Sequence, residues 1–76
     1  MPRITPQPYQ ILIRIFEKAG FSISRKGKKH IVMHRPRTAR PVVIPKYNEV
    51  CIDIIRANMR TAQMSREEYF EFLADP

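Results

Sequence analysis

Four cations, a glycine and two imidazoles stand together in Arg25-Lys-Gly-Lys-Lys-His-Ile-Val-Met-His34. Cations hold phosphate, and an imidazole, with an ordinary pKa of about 6.5, takes or gives a proton near neutral pH. Nowhere else in the 76 residues do groups able to do both sit together. A basic turn is more often a solvated loop, and a strand histidine is more often structural than catalytic. The stretch is therefore a candidate site that the rest of the chain has to support.

Its placement depends on strand alternation. Phe21, Ile23 and Arg25 alternate with Ser22, Ser24 and Lys26, which suits a short strand with Phe21 and Ile23 turned inward and the serines outward. Gly27 allows the reversal. In the run that follows, Lys29, Ile31, Met33 and Arg35 point one way, and His30, Val32 and His34 point the other. Ile31 and Met33 make the better core pair. Both histidines are thus expected on the face opposite the hydrophobic layer, where solvent and a ligand reach them. Arg35-Pro-Arg-Thr-Ala-Arg-Pro41 reads as a turn, and Val42-Val-Ile44, with a proline on each side, reads as a third strand that completes an antiparallel meander.

Helical spacing surrounds the meander. Thr5 followed by Pro6 has the form of an N-cap with proline at the first helical position, and Tyr9, Leu12, Ile13, Phe16 and Ala19 recur at steps of three and four. A first helix is expected over residues 6–19, with Gly20 as its left-handed exit. A second is expected from Glu49 to Thr61, with Cys51 or Ile52, Ile55, Met59 and Ala62 inward and Cys51 buried or half-buried. Ser65-Arg-Glu-Glu68 is a capping box, which opens a short third helix through Leu73 docked by Tyr69, Phe70 and Leu73. This order predicts a single α+β domain over residues 1–76, with the helices on one face of a three-stranded antiparallel sheet. The double-stranded-RNA-binding fold has this order, although a fold alone does not give a function.

Composition narrows the partners. Hydrophobic residues make up 43% of the chain, with no Trp, so the core is real but thin. The single Cys51 has no cysteine to pair with and no closely spaced histidine with which to build a zinc site. No apolar run approaches the roughly 20 residues of a membrane span, and the start lacks the apolar segment of a signal peptide, so a cytoplasmic protein with no membrane partner is expected. The net charge of +7 is uneven: up to Asn48 eleven Lys/Arg face Glu17 alone, whereas after it three Arg face six acids. Eight of the cations lie between Arg25 and Lys46 with no acid among them. Such a surface attracts a polyanion, and nucleic acid is the first partner to consider. Only Gly20 and Gly27 are present, so a glycine-rich nucleotide loop is excluded, and neither metal-ligand spacing nor a nucleophile triad is seen. No cofactor is expected.

Several segments in order carry a resemblance. Lys18-Ala-Gly-Phe21, Gly27-Lys-Lys-His30 with Ile31 and His34, Val43-Ile-Pro-Lys-Tyr-Asn-Glu-Val50, then Arg56, Met59-Arg60, Ala62 and Met64-Ser-Arg-Glu-Glu-Tyr-Phe70 are similar to the HicA family of small mRNA interferase toxins. The resemblance implies a double-stranded-RNA-binding-like fold, metal-independent endoribonuclease activity on mRNA, and a HicB-type antitoxin that covers the site. It also implies that His30, three residues after the turn glycine, is the catalytic residue. Lys28 and Lys29 stand where the family usually has Ser, often followed by another His; Tyr47 stands where it often has His, and Asp53 where it commonly has Gly.

On that reading the 2′-hydroxyl of RNA is the nucleophile and His30 the base that takes its proton. Arg25, Lys26, Lys28 and Lys29, with the backbone at Gly27, would hold the phosphates. His34 lies four strand residues, or about 13 Å, from His30, too far to share one phosphate as its acid partner. It is expected to be a strand or RNA-backbone contact. Arg35, Arg37, Arg40 and Lys46 are expected to position RNA through its phosphates, and Tyr47 either stacks on a base or covers the sheet edge. The alternative is an RNA-binding module of the same fold without turnover.

Overall fold

The computed structural model describes residues 3–37 and 40–74. Its elements are α1 (Tyr9–Lys18), β1 (Ser22–Lys26), β2 (His30–His34), β3 (Val42–Pro45), α2 (Ile52–Thr61) and α3 (Arg66–Ala74). The strands form one antiparallel sheet with β2 in the middle. Ile31, Met33, Val42 and Ile44 of the sheet are buried together with Leu12, Ile15 and Phe16 of α1, Ile55 and Met59 of α2, and Tyr69 of α3. The helices thus cover one face, as the alternation of β2 requires, and the α+β layout is the expected one. The centre of the proline-containing turn, residues 38–39, lies outside the described residues.

Both main helices begin three residues later than their periodicity suggests. Gln7 and Val50 form an isolated antiparallel bridge, N–H to carbonyl in both directions at 3.3 and 2.7 Å. That pairing commits Gln7 and Val50 to extended backbone, so neither can be helical. Thr5 is accordingly no helix cap; its Oγ1 accepts from Gln7 Nε2. Pro8 is the N-cap of α1. Cys51, the extended N-cap of α2, is exposed and not buried, because the helix whose inner face it was assigned to has not yet started.

The C-termini of α1 and α2 end alike. In each, the left-handed residue donates to the carbonyl three back, and the next residue donates to the carbonyl five back: Gly20 to Glu17 and Phe21 to Phe16, Gln63 to Arg60 and Met64 to Met59. Phe21 also meets Phe16 edge to face, ring centroids 5.7 Å apart. Glycine suits the first of these turns, with φ +99, whereas Gln63 sits at φ +56 with a side chain that disfavours it. Replacing Gln63 by Gly should therefore stabilise the protein by about 0.5–1 kcal/mol, seen as a higher urea midpoint at unchanged slope.

Arg35, just past β2, joins the two ends. Its guanidinium donates to the carbonyl of Ala19 at 2.9 Å and to that of Ala62 at 3.0 Å, the capping carbonyls of α1 and α2, and lies 4.7 Å over the Phe21 ring. A cation is favoured at a helix C-terminus, and here one cation serves two.

The capping box of α3 is formed as expected. Glu68 N–H donates to Ser65 Oγ at 3.1 Å, and Ser65 N–H donates to Glu68 Oε1 at 3.0 Å. The hydrogen bonds from the Ser65 backbone and then its side chain hold the Glu68 carboxyl below its usual pKa. A depressed folded-state pKa stabilises above the unfolded value and loses that contribution as pH falls through the folded one. Acid titration below about pH 4.3 should thus destabilise the wild type more steeply than Glu68→Gln, which has no carboxyl to protonate, with both followed by circular dichroism.

Candidate active site

One irregularity decides what surrounds the histidines. The β1–β2 register pairs Ile23 with Met33 but then Arg25 with Val32, leaving Ser24 as an extra residue. This is a β-bulge, and Ser24 Oγ donates to the Val32 carbonyl at 3.3 Å. Simple alternation would put Arg25 on the helix-covered side with Ile23. The bulge moves it to the open face, where Arg25, Val32 and Val43 form one row across the three strands. Lys26 moves the other way: it pairs with core-facing Ile31 and stays exposed at the edge strand.

His30 and His34 are both exposed on that open face, as strand alternation predicts. They occupy opposite ends of β2, with His30 across from Pro45 and His34 across from Ser22. The hairpin tip holds His30 closely. Gly27 N–H donates to the His30 carbonyl at 2.8 Å, and Lys46 N–H to the Lys29 carbonyl at 2.9 Å. Gly27 is needed here for close approach, not for a left-handed turn: a Cβ on it would meet the His30 carbonyl oxygen at 3.1 Å.

An open depression of about 380 Å³ is lined by Arg25, Gly27, Lys28, Lys29, His30, Val32 and Val43. It combines three cations, one imidazole and two valines, with no acid. A phosphate held by the cations would lie within the surface that the imidazole also borders, so groups suited to charge neutralisation and to proton transfer line one depression. Val43 belongs to this surface, although sequence reasoning did not single it out; the alternation of Val42 and Val43 in β3 was the available signal.

Other expected contacts lie elsewhere. The guanidinium of Arg35 is engaged with the two helix ends. Arg37 lines a second depression with Gly20, Arg35, Pro36 and Gln63, and Arg40 lines a third with Arg60, Thr61 and Gln63. Both are near the helix C-termini, away from the hairpin tip. Lys46 is half-buried, and Tyr47 is exposed beyond β3, with its carbonyl accepting from Tyr9 N–H at 3.2 Å; neither lines the depression of His30.

Among the described residues no three His, Cys, Asp or Glu side chains gather as a metal site, and no helix is long and apolar enough to cross a membrane. No curated protein and no solved structure matches the chain. The family model for the HicA toxin of bacterial toxin–antitoxin systems matches residues 9–64, a span that contains all three strands, both main helices and every residue lining the depression. The chain therefore belongs to the HicA family, the toxin halves of toxin–antitoxin systems and known as endoribonucleases, each with an antitoxin for a partner.

Proposed function

We propose that this toxin is an endoribonuclease that cuts mRNA in the cytoplasm without a metal ion, using His30 as its general base. The observation that carries the reading is the bulge at Ser24, which sets Arg25 on the same face as His30, beside Lys28 and Lys29. His30 takes the proton of a ribose 2′-hydroxyl, and the 2′-oxygen attacks the adjoining phosphorus. Arg25, Lys28 and Lys29 stabilise the negative charge that builds on the phosphoryl oxygens. The bond to the 5′-oxygen breaks, and that oxygen takes a proton from a lysine or from water. The fragments carry a 2′,3′-cyclic phosphate and a 5′-hydroxyl. Arg37, Arg40 and Lys46 lie outside the depression and serve as contacts along the RNA backbone, weakened by salt. A HicB-type antitoxin inhibits by covering the depression.

Incubating a long RNA with the protein in EDTA and analysing the fragment ends tests this reading. Cyclic phosphate ends support it. Intact RNA that is nonetheless bound would leave an RNA-binding module without turnover.

A further inference from the structure

The chemistry of the site uses the rim of the depression and leaves its floor unexplained. Val43 is 43% exposed at the centre of β3, and Tyr47 is the other large apolar side chain exposed among the described residues. Val43 is the direct cross-strand partner of Val32, so the two side chains adjoin on the open face, at the spacing of about 5 Å that such partners share. Arg25 continues the row on the far side of Val32. The row is about 10 Å wide, from two interstrand spacings, and offers an apolar floor with a planar cation at one end. His30 is two residues from Val32 on the same face, about 6.6 Å along the strand.

From this arrangement we infer that Val32 and Val43 are the floor of a nucleobase subsite that takes one unpaired base of single-stranded RNA. The inference rests on the proposed reading of the depression as an RNA site. A base lying on the valines shields them from water, and its own ribose extends towards His30 and the cations at the hairpin tip. The positive rim matches the phosphates on either side of that base. The volume of about 380 Å³ falls within the range of small-ligand clefts, about 300–1,000 Å³. Bases in a duplex are stacked and paired, so they offer this floor no free face; a duplex meets the rim through phosphates alone. Valine has no hydrogen-bonding group, so the floor accepts any base and discriminates by ring area and not by base edge.

The test is binding to a single-stranded 2′-O-methyl oligonucleotide of about eight nucleotides, which cannot be cut because its 2′-oxygens are blocked. Fluorescence anisotropy compares it with versions carrying one abasic residue, moved position by position, and with the duplex of the same sequence. For the wild type, one position should show about a fivefold loss on base removal, and the duplex should bind about tenfold more weakly. Val43→Ser should erase the loss at that position, and Val43→Phe should strengthen single-strand binding about threefold. Equal penalties in the wild type and Val43→Ser, or penalties independent of position, would overturn the subsite and leave the valines to a protein partner. Absence of any salt-sensitive binding by the wild type would overturn the RNA reading itself.

Discussion

His30→Ala should lower RNA cleavage about a thousandfold, the middle of the range that a positioned general base contributes. The protein should stay folded, because the imidazole is exposed and no hydrogen bond among the described residues depends on it; the bond from Gly27 goes to the main-chain carbonyl, which alanine keeps. RNA binding should persist, since Arg25, Lys28 and Lys29 remain. His34→Ala is the matched control: the same side chain on the same face of the same strand, but at the other end. It should cut RNA within about threefold of wild type, because it cannot reach the phosphate that His30 serves. Timed cleavage of one RNA by the three proteins decides the matter. Unchanged cutting by His30→Ala would remove that residue from the mechanism.

The second large effect is on stability. Arg35→Ala removes two charge-assisted hydrogen bonds to helix-capping carbonyls and the stacking on Phe21. Such bonds contribute about 1.5–3 kcal/mol each, and carbonyls left inside the fold without a donor cost more than ones facing water. A loss of about 3 kcal/mol is expected, set against roughly 4–11 kcal/mol for a domain of this size. The melting temperature should fall by about 15 °C. Arg35→Lys should recover only part, since an ammonium lacks the planar fork that spans two helix ends. If Arg35 instead served RNA, Arg35→Ala would melt like the wild type and bind RNA more weakly. Thermal denaturation beside anisotropy separates the two.

Features encoded within a few residues were legible in the sequence. The stripe of Tyr9, Leu12, Ile13, Phe16 and Ala19, of which Leu12 and Phe16 are buried and the others half-buried, the left-handed exit at Gly20 and the Ser65–Glu68 box each depend on neighbours at most a few positions away, and each is present. The exposure of His30 was legible too, because period-two alternation needs only Ile31 and Met33 to choose the core side. Features that join distant segments were not. The bridge between Gln7 and Val50 delays both helices and leaves Cys51 exposed, and neither residue hints at the other. The bulge at Ser24 exchanges the faces of Arg25 and Lys26, yet a serine between Ile23 and Arg25 reads like any strand serine. Arg35 stands in a basic run with Arg37 and Arg40; what separates it is the pair of helix ends that packing brings beside it.

The borders of the sheet carry one more consequence. β1 is kinked at Ser24 and lined by Arg25 and Lys26, while β3 is only four residues long, follows Pro41 and finishes on Pro45, which has no N–H to offer. Neither border is a flat template for a strand from another molecule. A toxin whose working face must stay bare, two valines included, is thereby guarded against recruiting copies of itself whenever its inhibitor is missing.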